Sequence, residues 1–194
     1  MITRPKNSLS WPIGPNITWS MDFVHDSLSN GRRFRSLAII DDFNREVLSI
    51  INDTSISAIR LVRELTNLCQ WRGKPRKIRM DNGPEFISIA LQQWAQEYEV
   101  NLCFIQPGKP TQNSYVERFH KTYRHEILNA YLFESMEQVR GLTQEWIWIY
   151  NHKRPHDSLG KLTPREFLLK YGQVDDFPTF QQDQHHQNLF SIFD

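Results

Sequence analysis

Cysteine is scarce in this sequence of 194 residues, which contains only Cys69 and Cys103. The two residues lie far apart, and neither belongs to a Cys-x-x-Cys pair that would indicate a metal or redox site. We therefore expect two buried, reduced thiols in a reducing cytosol, and we regard a disulfide between them as the less favoured alternative.

Long apolar runs are also missing. No run of 18 or more apolar residues exists, so we expect no membrane-spanning helix. The opening segment Met1 to Asn7 is not followed by an apolar stretch, so we expect no signal peptide. Apolar residues nevertheless make up 39% of the sequence and aromatic residues 12%. That is enough for the core of one ordinary domain, with or without an appendage.

A strong net charge is the third absence, since the formal net charge is +1 at pH 7. Residues 171–194 contain four Asp and no Lys or Arg, so residues 1–170 hold 23 basic against 18 acidic groups, a net charge of +5. This imbalance predicts a moderate positive surface for a polyanion, although ordinary solvated surface remains an alternative. The basic residues cluster at Arg32–Arg35, at Arg72–Arg79, and at Arg118, Lys121 and Arg124.

Five short runs with alternating or β-branched residues predict strands. The second and third flank the turn-forming sequence 41–45 and therefore predict a hairpin. Asp41 and Asp42 are expected to shape this turn. The predicted strands cover residues 17–24, 35–40, 46–51, 77–80 and 100–105.

Five segments with helical spacing or capping signals predict helices between and after these strands. The first is expected to bury Ile59, Val62, Leu65 and Leu68 and to end before Gly73. Two prolines and a glycine in segment 106–112 predict a flexible loop. The resulting order of elements is that of a mixed α/β domain. The helices are expected to begin at Thr54 or Ser55, Pro84, Asn113 (running to about Asn129), Met136 (running to about Tyr150) and Thr163.

Three acidic residues stand within or directly after apolar runs, where an unpaired carboxylate is costly to desolvate. Asp22 and Asp81 are predicted at the ends of strands that can lie side by side, and Glu117 is predicted early in the helix after the flexible loop. Converging carboxylates coordinate hard cations such as Mg²⁺ or Mn²⁺. Two such ions, about 3.5–4 Å apart, can promote in-line displacement at phosphorus.

Each acid also has an alternative structural interpretation. Asp22 could cap a strand end, Asp81 could form an Asx-type turn with Gly83, and Glu117 could pair with Lys121 four residues later. Another acid, Glu85, is expected to favour the positive end of its helix.

A zinc site is disfavoured, because His152 and His156 have no cysteine or third ligand at a suitable spacing. We expect His156 to make a structural or DNA-facing contact.

Five segments together resemble the catalytic core of DDE transposases of the two-frame bacterial insertion-sequence family, relatives of retroviral integrases. They are Trp-Ser-Met-Asp-Phe-Val, Gly-Arg-Arg-Phe-Arg, Asp-Asn-Gly-Pro-Glu-Phe, Pro-Gly-Lys-Pro-Thr-Gln-Asn and Tyr-Asn-His-Lys-Arg-Pro-His. The resemblance covers roughly residues 16–170. It implies a ribonuclease-H-like fold with Asp22, Asp81 and Glu117 as the catalytic, metal-binding triad. The implied reaction cleaves a DNA strand to give a 3′-hydroxyl, which then attacks another phosphodiester.

The resemblance also sets the expected partners and the division of the chain. We expect DNA as the partner (element ends and target), a homo-oligomer, two Mg²⁺ or Mn²⁺ ions, no organic cofactor and no membrane. The expected location is the bacterial cytoplasm, in association with the nucleoid. We divide the chain into an N-terminal arm (1–15), the integrase catalytic core (16–130), a helical extension (131–172) and an acidic Gln/His-rich tail (173–194), for which we expect disorder.

Several polar residues near Glu117 are candidates for contacts with DNA phosphates, which position DNA without reading its sequence. Arg124 lies seven residues after Glu117, so two helical turns return it to nearly the same face. Family members usually carry Lys or Arg at that position. A solvated helix face is the alternative for each residue. The other candidates are Arg118, Lys121, Lys109, Gln112 and Asn113.

Three features depart from the family pattern. His120 stands where relatives more often carry a small or amide residue, so it could contact DNA or water near the metals, or simply pack. Only about 16 residues precede the core, whereas full-length relatives carry N-terminal helix-turn-helix segments. The acidic tail does not match the family. We hypothesise a truncated copy that keeps the catalytic core.

Two functions therefore compete. The first is a metal-dependent transposase core, and the second is a non-enzymatic remnant that binds DNA or partner transposase and inhibits transposition. The intact acid trio favours the first. A third interpretation, a ribonuclease H, has weaker support, because the motifs at 107–113 and 150–156 are typical of transposases.

Overall fold

The computed structural model describes residues 11–106 and 110–172. The described residues form one mixed α/β unit, as the order of elements predicted. Its strands are β1 (Thr18–Ser27), β2 (Arg33–Asp41), β3 (Val47–Asp53), β4 (Lys77–Met80) and β5 (Asn101–Phe104), and its helices are α1 (Ala58–Arg72), α2 (Ile89–Glu97), α3 (Ser114–Tyr123), α4 (Met136–His152) and α5 (Pro164–Tyr171). The expected disorder of the tail, residues 173–194, and the position of Lys109 lie outside the described residues.

The five strands form one sheet in the order β3-β2-β1-β4-β5. The predicted hairpin is confirmed, since β2 and β3 pair antiparallel, and β1 pairs antiparallel with β2 along its length. Strand β4 runs parallel to both β1 and β5. The expectation that the first strand ends near Asp22 was wrong, because pairing with the long strand β2 carries β1 on to Ser27.

Alternation along β1 sends side chains to two separate cores, one on each face of the sheet. Trp19 and Met21 are fully buried and belong to the core beneath α1 and α2. Val24 belongs to the opposite core, which is covered by α3 and α4. With helices on both faces, the middle strands are shielded from solvent on both sides, as in other sheets that contain parallel strands.

Helix α1 begins later and is rotated relative to the prediction. Ser57 is its N-cap, and the Ser57 hydroxyl accepts a hydrogen bond from the Arg60 N–H at 3.3 Å. The predicted core residue Ile59 is 76% exposed, whereas Leu61 is fully buried in its place, together with the correctly predicted Leu65 and Leu68. The predicted end at Gly73 is confirmed, and this glycine adopts a φ of +86° that favours glycine.

Helix α2 begins at Ile89 and not at Pro84. Pro84 instead lies in a turn held by hydrogen bonds from Phe86 and Ile87 to the Gly83 carbonyl, and the Ser88 hydroxyl caps the helix. The ring of Phe86 is fully buried. Glu85 therefore lies before the helix, where it pairs with Arg35 at 2.6 Å instead of interacting with the helix end.

The segment after residue 109 forms a short 3₁₀ turn, Pro110–Asn113, followed by α3 and by one π-helical turn, Arg124–Leu128. The prediction of one continuous helix from Asn113 to about Asn129 is correct in its limits but misses this change of helix type. Helix α4 packs on the sheet beside β3 and begins at Met136, as predicted. No helix in the described parts of the chain is long and apolar enough to cross a membrane.

The end of α4 is fastened to the sheet by one side chain. Asn151, which is 5% exposed, donates to the Val47 carbonyl at 2.8 Å and accepts from the Val47 N–H at 2.9 Å. Helix α5 then begins after Thr163, as predicted, with a capping box formed by Thr163 and Glu166. These contacts hold residues 153–162 beside the β2–β3 turn.

Several charges counted as surface in the sequence are used internally. Arg72 pairs with buried Asp41 and Glu46, and Arg79 pairs with buried Asp42 at 2.7 Å. Burial raises the pKa of Asp41 to about 6. The cluster at Arg72–Arg79 therefore contributes fewer surface charges than its composition indicates.

The two cysteines, Cys69 and Cys103, are free. Both are half-buried, not fully buried as expected.

Candidate active site

Asp22 lies within β1, and Asp81 directly follows β4, the strand beside β1 in the sheet. The parallel register of β1 and β4 pairs Thr18 with Lys77, Trp19 with Ile78 and Ser20 with Arg79. Continuing this register by two residues, one past the end of β4, sets Asp22 opposite Asp81. Neighbouring strands lie about 4.8 Å apart, and residues two apart share a face. The register therefore turns both carboxylates to the face that α3 covers.

Asp81 sits where β4 ends, while β1 continues past it. Its Oδ1 accepts the Gly83 N–H at 2.9 Å, so the Asx-type turn considered as an alternative is formed. A Cβ at residue 83 would lie 3.1 Å from this oxygen, which explains why the turn suits glycine. The turn uses one carboxylate oxygen and fixes the direction of the other.

Asp22 also has one oxygen bound by the main chain. Its Oδ1 accepts the N–H of Phe23 at 2.8 Å, and its Oδ2 lies 3.5 Å from Nδ1 of His120. The side chain of His120 is 12% exposed, and its Nε2 has no hydrogen-bond partner among the described residues. His120 therefore lies beside an acid of the trio, and its contact with DNA or with water near the metals stays a prediction. The sequence offered no signal for this pairing beyond the unusual residue type.

Glu117 lies on the face of α3 that is turned towards Asp22. It precedes His120 by three residues, which places the two on one helix face, about 4.5 Å apart along the axis. The Glu117 side chain is half-buried and makes no hydrogen bond or ion pair with any of the described residues. The alternative interpretation, an ion pair with Lys121, is not formed in the described structure.

The three acids do not form a preformed metal cage. No group of three or more His, Cys, Asp or Glu side chains within residues 11–106 and 110–172 is arranged to hold a metal ion. What the fold does provide is the Asp22–Asp81 pair on one sheet face and Glu117 on the adjacent helix. Oxygen donors of this kind fit a hard divalent cation such as Mg²⁺, which binds through one or two carboxylates and retains water ligands.

The residues predicted to contact DNA differ in their exposure and in the contacts that they make within the protein. Arg118 and Lys121 are exposed on α3, and neither forms an ion pair with a described residue. Arg124 is held by β1, because its Nη2 donates to the His25 carbonyl at 2.7 Å and its Nη1 lies 3.7 Å from Asp26.

The loop candidates are placed differently again. The side-chain oxygen of Gln112 accepts a hydrogen bond from the Gln106 N–H at 3.0 Å, so Gln112 is used in a contact within the protein. Asn113 is 1% exposed, which contradicts its assignment as a DNA contact. It directly precedes α3, and its side chain is enclosed by the protein there. Lys109 lies outside the described residues.

Comparison with known families settles the classification. A family model described as "Integrase core domain" matches residues 13–110, and a second model with the same description matches residues 98–164. This chain belongs to the integrase core domain family. The resemblance to insertion-sequence transposases is thereby confirmed.

Two insertion-element proteins are similar over much of this integrase core. The 31.7 kDa protein of insertion element IS407 from Burkholderia multivorans is 43% identical over 92% of the chain, and the 39.2 kDa protein of IS476 from Xanthomonas euvesicatoria is 45% identical over 81%. The chain spans 64% and 45% of these two relatives' own lengths.

Solved structures confirm the fold. The integrase catalytic core domain of HTLV-2, solved in complex with magnesium, superposes with a TM-score of 0.61 at 20% identity, covering 78% of this chain and 95% of that one. A chain of the simian T-cell lymphotropic virus intasome superposes with a TM-score of 0.73 at 19% identity, covering 94% of this chain and 63% of that one. The expected ribonuclease-H-like class is therefore correct.

Proposed function

We propose that this chain is the catalytic core of an insertion-sequence transposase, which carries out divalent-metal-dependent DNA cleavage and strand transfer. The β1–β4 register carries the proposal, because it brings Asp22 and Asp81 to one level and one face of the sheet. Family membership supports the same reaction class. The substrates are DNA phosphodiesters at the element ends and in the target.

Asp22, Asp81 and Glu117 are the proposed metal ligands. When bound, divalent cations lower the pKa of a bound nucleophile and stabilise the charge that develops on the leaving oxygen. The protein's own part is to aim these carboxylates. The Gly83 N–H orients Asp81, and the Phe23 N–H and His120 flank Asp22. Arg118 and Lys121 are proposed to bind DNA phosphates from the neighbouring turns of α3.

We propose that Arg124 acts mainly by fixing the position of α3 relative to β1. Its guanidinium ties the end of α3 to the main chain of β1 near Asp26, and its 40% exposed side chain remains within reach of solvent. This bond sets where α3, and with it Glu117, lies along β1. The homo-oligomer and the division into arm (1–15), core (16–130), helical extension (131–172) and tail (173–194) belong to the same proposal.

A disintegration assay on branched DNA tests the reaction directly. With Mg²⁺ or Mn²⁺ we expect the wild-type chain to rejoin the branched strand. Asp81→Asn and Glu117→Gln are each expected to reduce the rate roughly 10³-fold, the effect of several kcal/mol of lost transition-state stabilisation. The matched control is Glu97→Gln, a neutralised acid that is exposed on α2. It is expected to retain wild-type activity.

The competing function, a non-enzymatic remnant, predicts a different outcome. A remnant would bind DNA but show no turnover, and Asp81→Asn and Glu117→Gln would behave like the wild type. Calorimetric titration with Mn²⁺ adds a measurement that needs no DNA. Loss of binding in Asp22→Asn, with unchanged thermal unfolding, is expected, whereas full retention of binding would contradict the assigned ligands.

A further inference from the structure

A second concave site, separate from the acid trio, lies on the side of α3 opposite His120. We call it the Arg45 pocket. It has a volume of about 470 Å³, within the range of about 300–1,000 Å³ that is typical of small-ligand sites. The β2–β3 turn, α3 and the segment after α4 each contribute to its wall. The lining residues that matter here are Trp11, Arg45, Tyr115, Arg118, Arg154 and His156.

The wall of the pocket contains a buried cation between two aromatic rings. The guanidinium carbon of Arg45 lies 3.4 Å from the ring centre of Tyr115 and 4.4 Å from that of Trp11. Arg45 is 8% exposed, while both rings remain partly exposed. Such an arrangement offers aromatic surface and positive charge at the same place, which is the combination that binds bases of single-stranded nucleic acid.

The charge of the pocket favours an anion. Three arginines and one carboxylate, Asp157, line it. Asp157 is itself paired with Lys161 at 2.6 Å, and Arg154 is paired with Glu126. Arg118 has no ion-pair partner among the described residues and stands at the α3 side of the pocket. A phosphate group would supply the missing partner for Arg118.

The pocket also offers a hydrogen-bond acceptor. Nε2 of His156 is buried and has no hydrogen-bond partner among the described residues. Burial lowers the pKa of His156 to about 4, so the ring is neutral near pH 7. In the neutral ring, the tautomer that carries its proton on Nδ1 leaves Nε2 as an acceptor. A nucleobase can satisfy this acceptor, because every base carries at least one N–H donor.

We propose that the Arg45 pocket binds one unpaired nucleotide of the DNA strand next to the reacting phosphodiester, with its phosphate on Arg118 and its base beside Tyr115 and His156. This proposal rests on the proposed function for the presence of DNA at Glu117. Arg118 directly follows Glu117, and Ser114, Arg118 and Thr122 form one row along α3 that borders the pocket. A DNA strand that runs from the acid trio along this row of residues would enter the pocket with the nucleotides next to the reacting phosphodiester.

Ser158 provides the variant that tests the pocket without removing any of these groups. It lines the pocket, is exposed, and makes no side-chain hydrogen bond with a described residue. Ser158→Glu places a negative charge beside the proposed phosphate. Ser158→Gln is the neutral control of similar size, and Gln93→Glu adds the same charge to an exposed position on α2. Thermal unfolding of all three variants verifies that they are folded.

The measurement is fluorescence anisotropy with a labelled oligodeoxythymidine single strand and with the matching duplex, in EDTA so that no reaction occurs. We expect Ser158→Glu to weaken single-strand binding by roughly fivefold to tenfold at low salt. Both controls should stay within about twofold of the wild type on the same electrostatic argument. Binding to duplex should change less, because its bases are paired. Thymidine monophosphate is expected to compete at concentrations where inorganic phosphate does not.

Two results would overturn the pocket proposal. One is an equal effect of Ser158→Glu and Gln93→Glu, and the other is an equal loss for single strand and duplex. Because binding is measured in EDTA, it is independent of the reaction. If the chain carries out strand transfer but Ser158→Glu does not weaken single-strand binding, the pocket proposal alone is refuted. If Ser158→Glu weakens single-strand binding but the chain shows no turnover, the proposed function alone is refuted.

Discussion

Asn151 is expected to decide whether α4 stays attached to the sheet. It belongs to the Tyr-Asn-His-Lys-Arg-Pro-His motif, and its amide makes two hydrogen bonds to Val47, at 2.8 and 2.9 Å. Replacement by Leu keeps the approximate size of the side chain but removes both bonds. The N–H and carbonyl of Val47 would then be left without partners at a residue that is only 2% exposed.

The size of the effect follows from the two groups left unpaired. A buried polar group without a partner costs about 1–3 kcal/mol, so the two groups left by Asn151→Leu are expected to lower the free energy of unfolding by about 2–6 kcal/mol. This is a large fraction of the roughly 5–15 kcal/mol that holds a domain folded. The variant should also weaken single-strand DNA binding, because Arg154 and His156 lie a few residues after Asn151 in the chain and line the Arg45 pocket.

Urea unfolding followed by tryptophan fluorescence measures this loss, since Trp146 is buried in the same helix. With a slope of about 2 kcal/mol per molar urea, the midpoint should fall by about 1–3 M. Asn101→Leu, an exposed position on β5, is the control for the amide-to-leucine change. A loss for Asn151→Leu no larger than that of Asn101→Leu would refute the reasoning.

Three smaller effects are expected. The pKa of His156, about 4 in the folded chain, lies below its ordinary value, so the unfolded chain takes up the proton first. As the pH falls from about 6.5 to 4, wild type should lose about 1–2 kcal/mol more stability than His156→Phe, allowing for partial exposure; equal losses would contradict this. Thr143→Val removes the partner of Tyr123 at 2.8 Å and of Asn52 at 2.9 Å, and should cost about 1–3 kcal/mol in urea unfolding; a neutral change would contradict the network. Ser57→Ala removes the α1 cap and should cost about 0.5–2 kcal/mol, with exposed Ser29→Ala as the neutral control.

Most of the elements around the candidate site could be predicted from local sequence. The hairpin of β2 and β3 and the start of α4 at Met136 follow from alternation and spacing. The end of α1 at Gly73 follows from the backbone freedom of glycine. One error arose where two local signals competed, and another arose where pairing with β2 lengthened β1. Pro84 suits a helix start, but the Gly83 turn and the Ser88 cap moved α2 to Ile89.

The sequence by itself singled out Asp22, Asp81 and Glu117 as the acids proposed to react, because they interrupt apolar runs and lie in segments that resemble the family's motifs. It also determined the class of fold, because hydrophobic periodicity records which face of each element is buried. Periodicity does not record which partner covers that face.

Only the tertiary structure decided the partners. It paired Arg79 with Asp42, placed His120 beside Asp22, and enclosed Arg45 between two rings. Each of these contacts joins residues from different elements whose spacing in the chain carries no signal. Charges that looked alike in the sequence were thereby divided into those used within the protein and those, such as Arg118, that remain available to DNA.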